Sequence, residues 1–209
     1  MKQEFDLENW NRKEHFEFFN QFEEPFFGLV TQVNCSNAYQ FCKKNNLSFF
    51  VFYLHKVMKA VNTIENFRYR INEGKIYIYD QIDASATITR EDGTFGFSLI
   101  KYNENFEQFN KNAKQEIERI QTTKGIFTRK FEVDNLIHFS AIPWVDFTNL
   151  SHARSFTFPD SCPKISVGKL IKDHNTCKFS VSVHAHHGLM DGIHVGQFFE
   201  KLEDLLQND

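Results

Sequence analysis

The strongest constraint on the fold lies near the C-terminus, where the apolar residues change their period. From Phe179 to Ala185 apolar and polar residues alternate, which is typical of a β-strand with one buried face. After GLMDG at 188–192 the apolar residues recur at helical spacing, namely Val195, Phe198, Phe199, Leu202, Leu205 and Leu206. A strand that leads directly into an amphipathic helix needs a core between a sheet and a helix layer. We therefore expect an α/β fold.

The rest of the chain has the same mixture of strand and helix patterns. We predict a short helix with Ser36 as its N-cap, an almost wholly apolar helix over 47–64 and an amphipathic helix over 104–120. Strand-like runs lie at 26–33, 75–80, 84–90, 95–102, 137–143, 164–171 and 178–185. Because strands and helices do not alternate strictly, the pattern favours a two-layer α/β sandwich with a large mixed β-sheet. No linker-like segment interrupts residues 1–209, so we predict a single domain.

Composition narrows the possible partners. The net charge of −3 and the pI near 6.3 give no cationic surface for nucleic acid. The charged start MKQEFDLENW is unlike a signal peptide, and the longest apolar run, at 49–54, is too short to span a bilayer. We therefore expect a cytoplasmic protein that binds neither nucleic acid nor membranes. Its four cysteines have no CxxC spacing, so we expect reduced thiols.

The histidine-rich stretch 184–194 is the candidate reactive segment. His187 continues the buried row of the last strand, where a partly apolar environment favours the neutral imidazole that can accept a proton. This points to a general base, although a histidine at a strand end is more often a hydrogen-bonded structural residue. Asp191, just before the last helix, is by position more often a cap than a catalyst. A metal site is disfavoured because His187 faces away from His184 and His186.

The segment HHGLMDGIHVGQF at 186–198 resembles the HHxxxDGxH signature of the chloramphenicol acetyltransferases. Further segments occur in the order and spacing of that family: NWNRKEHFEFF (9–19), FRYRI (67–71), GTF (93–95), FSAIPWVDF (139–147) and GKL (168–170). The resemblance implies the fold of coenzyme A-dependent acyltransferases. It also implies transfer of acetyl from acetyl-CoA to a hydroxyl of chloramphenicol without a metal, and hence antibiotic resistance. The family's homotrimer, with active sites between subunits, is part of the same expectation.

The resemblance also assigns roles to individual residues. The general base falls on His187, the serine that stabilises the oxyanion on Ser140, and a hydroxyl that orders water near the transition state on Ser166. An ion pair between Asp191 and Arg12 is implied to hold the active-site loop in shape. Residues expected to contact the substrate by their family positions are Phe18, Phe19, Phe27, Phe95 and Trp144.

The chain departs from the family pattern in three places. Phe19 stands where some members have a tyrosine, so we expect a backbone carbonyl to orient the base. Leu170 stands where an aromatic residue beside coenzyme A is expected, and the stretch 151–164 differs from the family's asparagine-rich one. Two alternatives therefore stay open, namely an acetyltransferase of the same fold with another hydroxyl acceptor and a binding protein that has lost catalysis.

Overall fold

The structure is a computed structural model that describes residues 1–131, 133–157 and 160–208. The α-helices are α1 (Lys13–Phe19), α2 (Ser36–Lys44), α3 (Phe49–Thr63), α4 (Phe106–Thr122) and α5 (Gly192–Asn208). The strands are β1 (Lys2–Glu4), β2 (Phe26–Asn34), β3 (Tyr69–Asn72), β4 (Lys75–Tyr79), β5 (Asp83–Thr89), β6 (Phe95–Phe97), β7 (Leu136–Ala141), β8 (Lys164–Val167), β9 (Ile171–Asp173) and β10 (Thr176–His186). A 3₁₀ turn at Glu65–Arg68 joins α3 to β3.

A seven-stranded mixed sheet forms one layer of the molecule. Its order is β2-β10-β8-β7-β5-β6, and β9 also pairs with β10. The β7 strand runs parallel to β5 and β8, whereas β10 runs antiparallel to β2 and β8. Strands β1, β4 and β3 form a separate small sheet. The predicted α/β architecture with a large mixed sheet is confirmed.

The helices cover the apolar face of this sheet. The alternating row of β10 includes Phe179, Val181 and Val183, each at most 1% exposed, and the predicted stripe of α5 packs in the same core. Helix α3 is buried on nearly every side, as its apolar sequence predicts. Each such fully buried side chain contributes about 1.5–3 kcal/mol to folding. Among the described helices, none combines the length and the apolar character that a membrane crossing requires.

The predicted cap of α2 is wrong. Ser36 is the first residue inside the helix, and Cys35 precedes it without a capping side chain. The Ser36 hydroxyl instead donates to Asn34 Oδ1 at 2.7 Å and accepts from the Cys177 N–H at 2.8 Å. It therefore ties the helix start to β10 rather than satisfying the helix's own amides.

Two predicted strands are shorter than their sequence patterns. The regular strand expected over 95–102 ends at Phe97; beyond it the N–H groups of Ser98 and Ile100 still donate to β5 carbonyls at 2.9 and 2.8 Å, and only isolated bridge pairing remains. The strand expected over 164–171 is divided into β8 and β9 at Gly168, where an added Cβ would lie 3.1 Å from the Val145 carbonyl oxygen. Elements β1, β3 and α1 were not predicted, since three to seven residues carry little periodicity.

Candidate active site

His187 lies immediately after β10, one residue beyond the strand end. Its backbone N–H donates to the Pro25 carbonyl at 2.8 Å, so the peptide stays alongside the start of β2. Its carbonyl accepts from Arg12 Nη2 at 3.2 Å. Two hydrogen bonds, one to Pro25 and one from Arg12, thus fix the backbone of His187 independently of its side-chain contacts.

Two phenylalanine rings hold the half-buried His187 side chain. The imidazole is stacked on Phe19 with ring centroids 3.9 Å apart and planes 5° apart, and Phe27 lies at 4.5 Å. Of the two ring nitrogens, only Nδ1 is both buried and without a hydrogen-bond partner among the described residues. The prediction that a backbone carbonyl orients the ring is therefore wrong here. Stacking on Phe19, together with the contact with the Phe27 ring tilted by 42°, orients it instead, and Nε2 is the nitrogen left accessible.

Asp191 connects the turn after His187 to two helices. Its carboxylate forms an ion pair with Arg12, which precedes α1, and lies 2.9 Å from His194 Nδ1 in α5. Burial acts to raise the pKa of Asp191, but the hydrogen bond and charge of Arg12 outweigh it and hold the pKa below its usual value. The same guanidinium contacts the His187 carbonyl, so the ion pair supports the peptide that carries the imidazole.

The neighbouring histidines have a different environment. Burial, reinforced by the charge of Arg154, lowers the pKa of His186 to about 4, and its Nδ1 accepts the Gly188 N–H at 3.1 Å. Burial also lowers the pKa of His184, whose ring packs against Gly28. Within the described ranges, no three histidine, cysteine or carboxylate side chains converge on a metal-sized site.

Ser140 lies on β7 in a row of hydroxyl groups that crosses the sheet. It pairs with Ser166 of β8, which in turn pairs with Ser182 of β10. Thr87 Oγ1 donates to Ser140 Oγ at 3.4 Å, and Ser166 Oγ is buried with no hydrogen-bond partner among the described residues. Sequence reasoning missed Thr87, because only the register of β5 against β7 brings it beside Ser140.

A cavity of about 330 Å³ lies beside this row. Thr87, Ala141 and Trp144 line it, together with Phe50 and Gln121 from the helices. Trp144 is 69% exposed and gives the cavity an accessible aromatic residue, and Ser140 adjoins the cavity through Thr87 and Ala141. The cavity thus combines an accessible aromatic residue with a nearby hydroxyl, features that small-molecule pockets commonly share.

The structure does not bring His187 and Ser140 of one chain together. His138, Lys164 and His184 are direct neighbours across β7, β8 and β10. Along β7, Ser140 lies two residues to one side of this row. Along the chain after β10, His187 lies three residues to the opposite side, because β10 runs antiparallel to β8. With about 3.3 Å per residue and about 4.8 Å between strands, their Cα atoms are roughly 19 Å apart. Within one chain the two predicted site residues therefore lie apart. The surroundings of each form a separate half-site, the His187 half-site and the Ser140 half-site.

The predicted substrate contacts divide in the same way. Phe18 is 58% exposed, and its ring centroid lies 5.1 Å from that of Phe19, so it belongs with the His187 half-site. Phe95 lies on the edge strand β6, next to β5, on the Ser140 side of the sheet. The aromatic residues predicted from the sequence to contact the substrate therefore do not form a single pocket within one chain.

A family model described as chloramphenicol acetyltransferase matches residues 2–203. The chain belongs to the chloramphenicol acetyltransferase family. Membership in this family makes the protein an enzyme that transfers acetyl groups. It also accounts for the match between HHGLMDGIH and the family signature.

Curated relatives align over almost the whole chain. Chloramphenicol acetyltransferase 3 of Escherichia coli is 27% identical over 203 residues, covering 96% of this chain and 95% of the relative. A chloramphenicol acetyltransferase of Clostridium perfringens is 28% identical over 207 residues, covering 97% and 94%.

Solved structures agree with this assignment. A chloramphenicol acetyltransferase structure superposes with a TM-score of 0.90 at 33% identity, covering 99% of this chain and 100% of that one. The catalytic core of a 2-oxoacid dehydrogenase complex from Thermoplasma acidophilum gives a TM-score of 0.67 at 12% identity, with 99% of each chain covered. The second likeness shows a shared fold only.

Proposed function

We propose that the protein transfers the acetyl group of acetyl-CoA to a hydroxyl group of chloramphenicol, at sites formed between copies of the chain in a homotrimer. His187 of one copy is the general base, and Ser140 of the next copy is the oxyanion donor. The observation that carries this proposal is the imidazole clamped by Phe19 and Phe27 with Nε2 accessible. The family membership supplies the reaction class.

The His187 ring acts on the acceptor. An alcohol is a poor nucleophile while it keeps its proton, and neutral His187 removes that proton through Nε2 as the oxygen attacks the thioester carbonyl. A positioned base of this kind contributes about 10²–10⁴-fold in rate. Arg12 and Asp191 act by holding the His187 peptide, whose carbonyl accepts from Arg12.

The Ser140 hydroxyl acts on the thioester. It donates to the oxyanion that forms as the carbonyl is attacked, and loss of one such donor costs about 10²–10³-fold in turnover. Acetyl-CoA approaches along the cavity lined by Thr87 and Trp144. Buried Ser166 has a hydroxyl without a hydrogen-bond partner in the part of the chain that the structure describes, and it can hold a water molecule beside the reacting carbon. Both substrates are bound together, so no acyl-enzyme is needed.

Two considerations support the proposed homotrimer. The family resemblance implies it, and a separation of roughly 19 Å between the two functional residues of one chain requires a second copy for any site that uses both. The aromatic surface around His187, where Phe18 and Phe22 are 58% and 45% exposed, would then form one wall of the acceptor pocket.

A second candidate is transfer to a different hydroxyl acceptor. The stretch 151–164, where the chain differs from the family, carries charged residues that are fixed in the fold. Lys164 is paired with Asp160, and Arg154 is paired with Glu24. Because this stretch replaces the family's asparagine-rich one, the acceptor can differ from chloramphenicol.

The test is the release of free thiol from acetyl-CoA with and without chloramphenicol, and with a panel of other alcohols. We expect chloramphenicol-dependent release that His187→Ala reduces to less than about a tenth. His174→Asn is the matched control, because His174 lies in an exposed turn with φ 46°, which asparagine tolerates. Thiol release that depends on another alcohol, and not on chloramphenicol, would favour the second candidate. Bound acetyl-CoA that is never consumed would contradict both.

A further inference from the structure

A second cluster of reactive side chains lies away from His187. Cys162, two residues before β8, and His138, in the middle of β7, line a cavity of about 260 Å³ together with Arg70 and Asp134. The Cys162 thiol is half-buried, and the His138 residue is exposed. The proposed acetyl transfer uses none of these side chains.

Arg70 places an unusual charge beside this cavity. The residue is only 2% exposed, and its guanidinium donates to backbone carbonyls, including those of Phe67 and Asp134 at 2.9 and 3.1 Å. No carboxylate of the described residues forms an ion pair with it. Burial accordingly lowers the pKa of Arg70, against the opposing effect of nearby Cys162. A buried cation without a carboxylate partner stabilises an anion formed next to it.

The Cys162 thiol is the group that can supply this anion. Burial acts to raise its pKa and Asp160 acts in the same direction, but the charges of His138 and Arg70 lower it below the ordinary value. The pKa of His138 is raised in turn by the charge of Cys162, against the charge of Lys164. In the thiol form Sγ donates to the Leu136 carbonyl at 2.8 Å. The His138 ring can take the proton when the thiolate forms.

We propose that Cys162 is a modification site, a nucleophilic thiol activated by His138 and Arg70 that forms mixed disulfides with low-molecular-weight disulfides. The Cys162 proton passes to the His138 ring, and the thiolate attacks one sulfur of the small disulfide. A new S–S bond forms, the original S–S bond breaks, and the leaving thiolate takes up the proton. No further oxidant is needed, because the small disulfide is the oxidant.

The other cysteines provide internal controls. Burial raises the pKa of Cys35 to about 12 and that of Cys42 to about 11, so neither forms a thiolate near neutral pH. Cys177 is buried as well, with only 9% of its surface exposed. Selective reaction at one of four thiols in the same folded protein is therefore a direct measure of local activation.

The experiment uses the intact native protein with two probes, iodoacetamide and oxidised glutathione. Intact mass and peptide mapping follow the label, and the rate is measured against pH. We expect Cys162 to react at least about 10-fold faster than the other three thiols at pH 7, with a rate midpoint below the ordinary thiol value of about 8.5. We also expect one mixed disulfide per chain with oxidised glutathione.

Two matched variants separate activation from simple exposure. His138→Asn should slow labelling at pH 7 by about 5-fold or more and move the midpoint upward, whereas His174→Asn should change neither. Thermal melting checks that both variants fold. Faster reaction at another cysteine, a wild-type midpoint at or above about 8.5, or an unchanged profile in His138→Asn overturns the proposal. The assay needs no acetyl-CoA, so its outcome is independent of the proposed acetyl transfer.

Discussion

The stacked pair of Phe19 and His187 gives a quantitative prediction. Substitution Phe19→Leu keeps an apolar side chain beside the imidazole but removes the parallel ring at 3.9 Å. An aromatic pair is worth about 0.5–1.5 kcal/mol beyond the area that it buries. If that energy holds the general base in its reactive orientation, its loss lowers kcat about 2- to 13-fold. The effect should fall on kcat rather than on the KM for acetyl-CoA, because Phe19 lies in the other half-site.

The assay is initial-rate thiol release at saturating acetyl-CoA. Phe41→Leu is the matched control, since Phe41 is a phenylalanine of similar exposure, at 46%, that lies on α2, and its described ring contact is with Phe52. We expect the control to keep the wild-type kcat. An unchanged kcat in Phe19→Leu, or an equal loss in both variants, would refute the view that Phe19 orients the base.

Two further predictions concern stability. The pKa of Asp191 is lowered in the folded chain, so its carboxylate stabilises the fold at neutral pH, and that contribution is lost as pH falls through the folded pKa. Asp191→Asn should therefore be less stable than the wild type at pH 7, with the difference shrinking below pH about 4 in denaturant titrations. Gly28→Ala, whose Cβ would lie 2.5 Å from His184 Nε2, should cost about 1–3 kcal/mol, whereas Gly196→Ala, with open space around it in α5, should gain about 0.5–1 kcal/mol. Equal effects of the two glycine substitutions on unfolding midpoints would contradict the steric argument.

The long periodic elements could be predicted from the sequence. The strand of 178–185 and the helices over 47–64 and 104–120 correspond to β10, α3 and α4, because their apolar residues must face one core. The predicted strand ends were less accurate where a tertiary contact intervenes, as at Gly168, where the Val145 carbonyl lies close against the backbone and the predicted strand is divided. Such contacts depend on residues distant in sequence, which periodicity cannot reveal.

The candidate site was predictable in its residues but not in its arrangement. Strand alternation selected His187, and the family resemblance selected Ser140. The sequence could not show that they lie on opposite sides of the row formed by His138, Lys164 and His184, since this depends on strand order and register. The sequence also did not predict the contact made by Phe19. At this position some family members have a tyrosine, and here the Phe19 ring stacks on the His187 imidazole.

Co-expression of two inactive variants tests the shared site most directly. One chain carries His187→Ala and the other carries Ser140→Ala, so each retains the residue that its partner lacks. If a site takes His187 from one copy and Ser140 from the next, random mixed trimers regain about a quarter of their sites. We predict thiol release near this fraction of wild type, far above either variant alone. Activity of the mixture no higher than that of the separate variants would contradict the two-chain site.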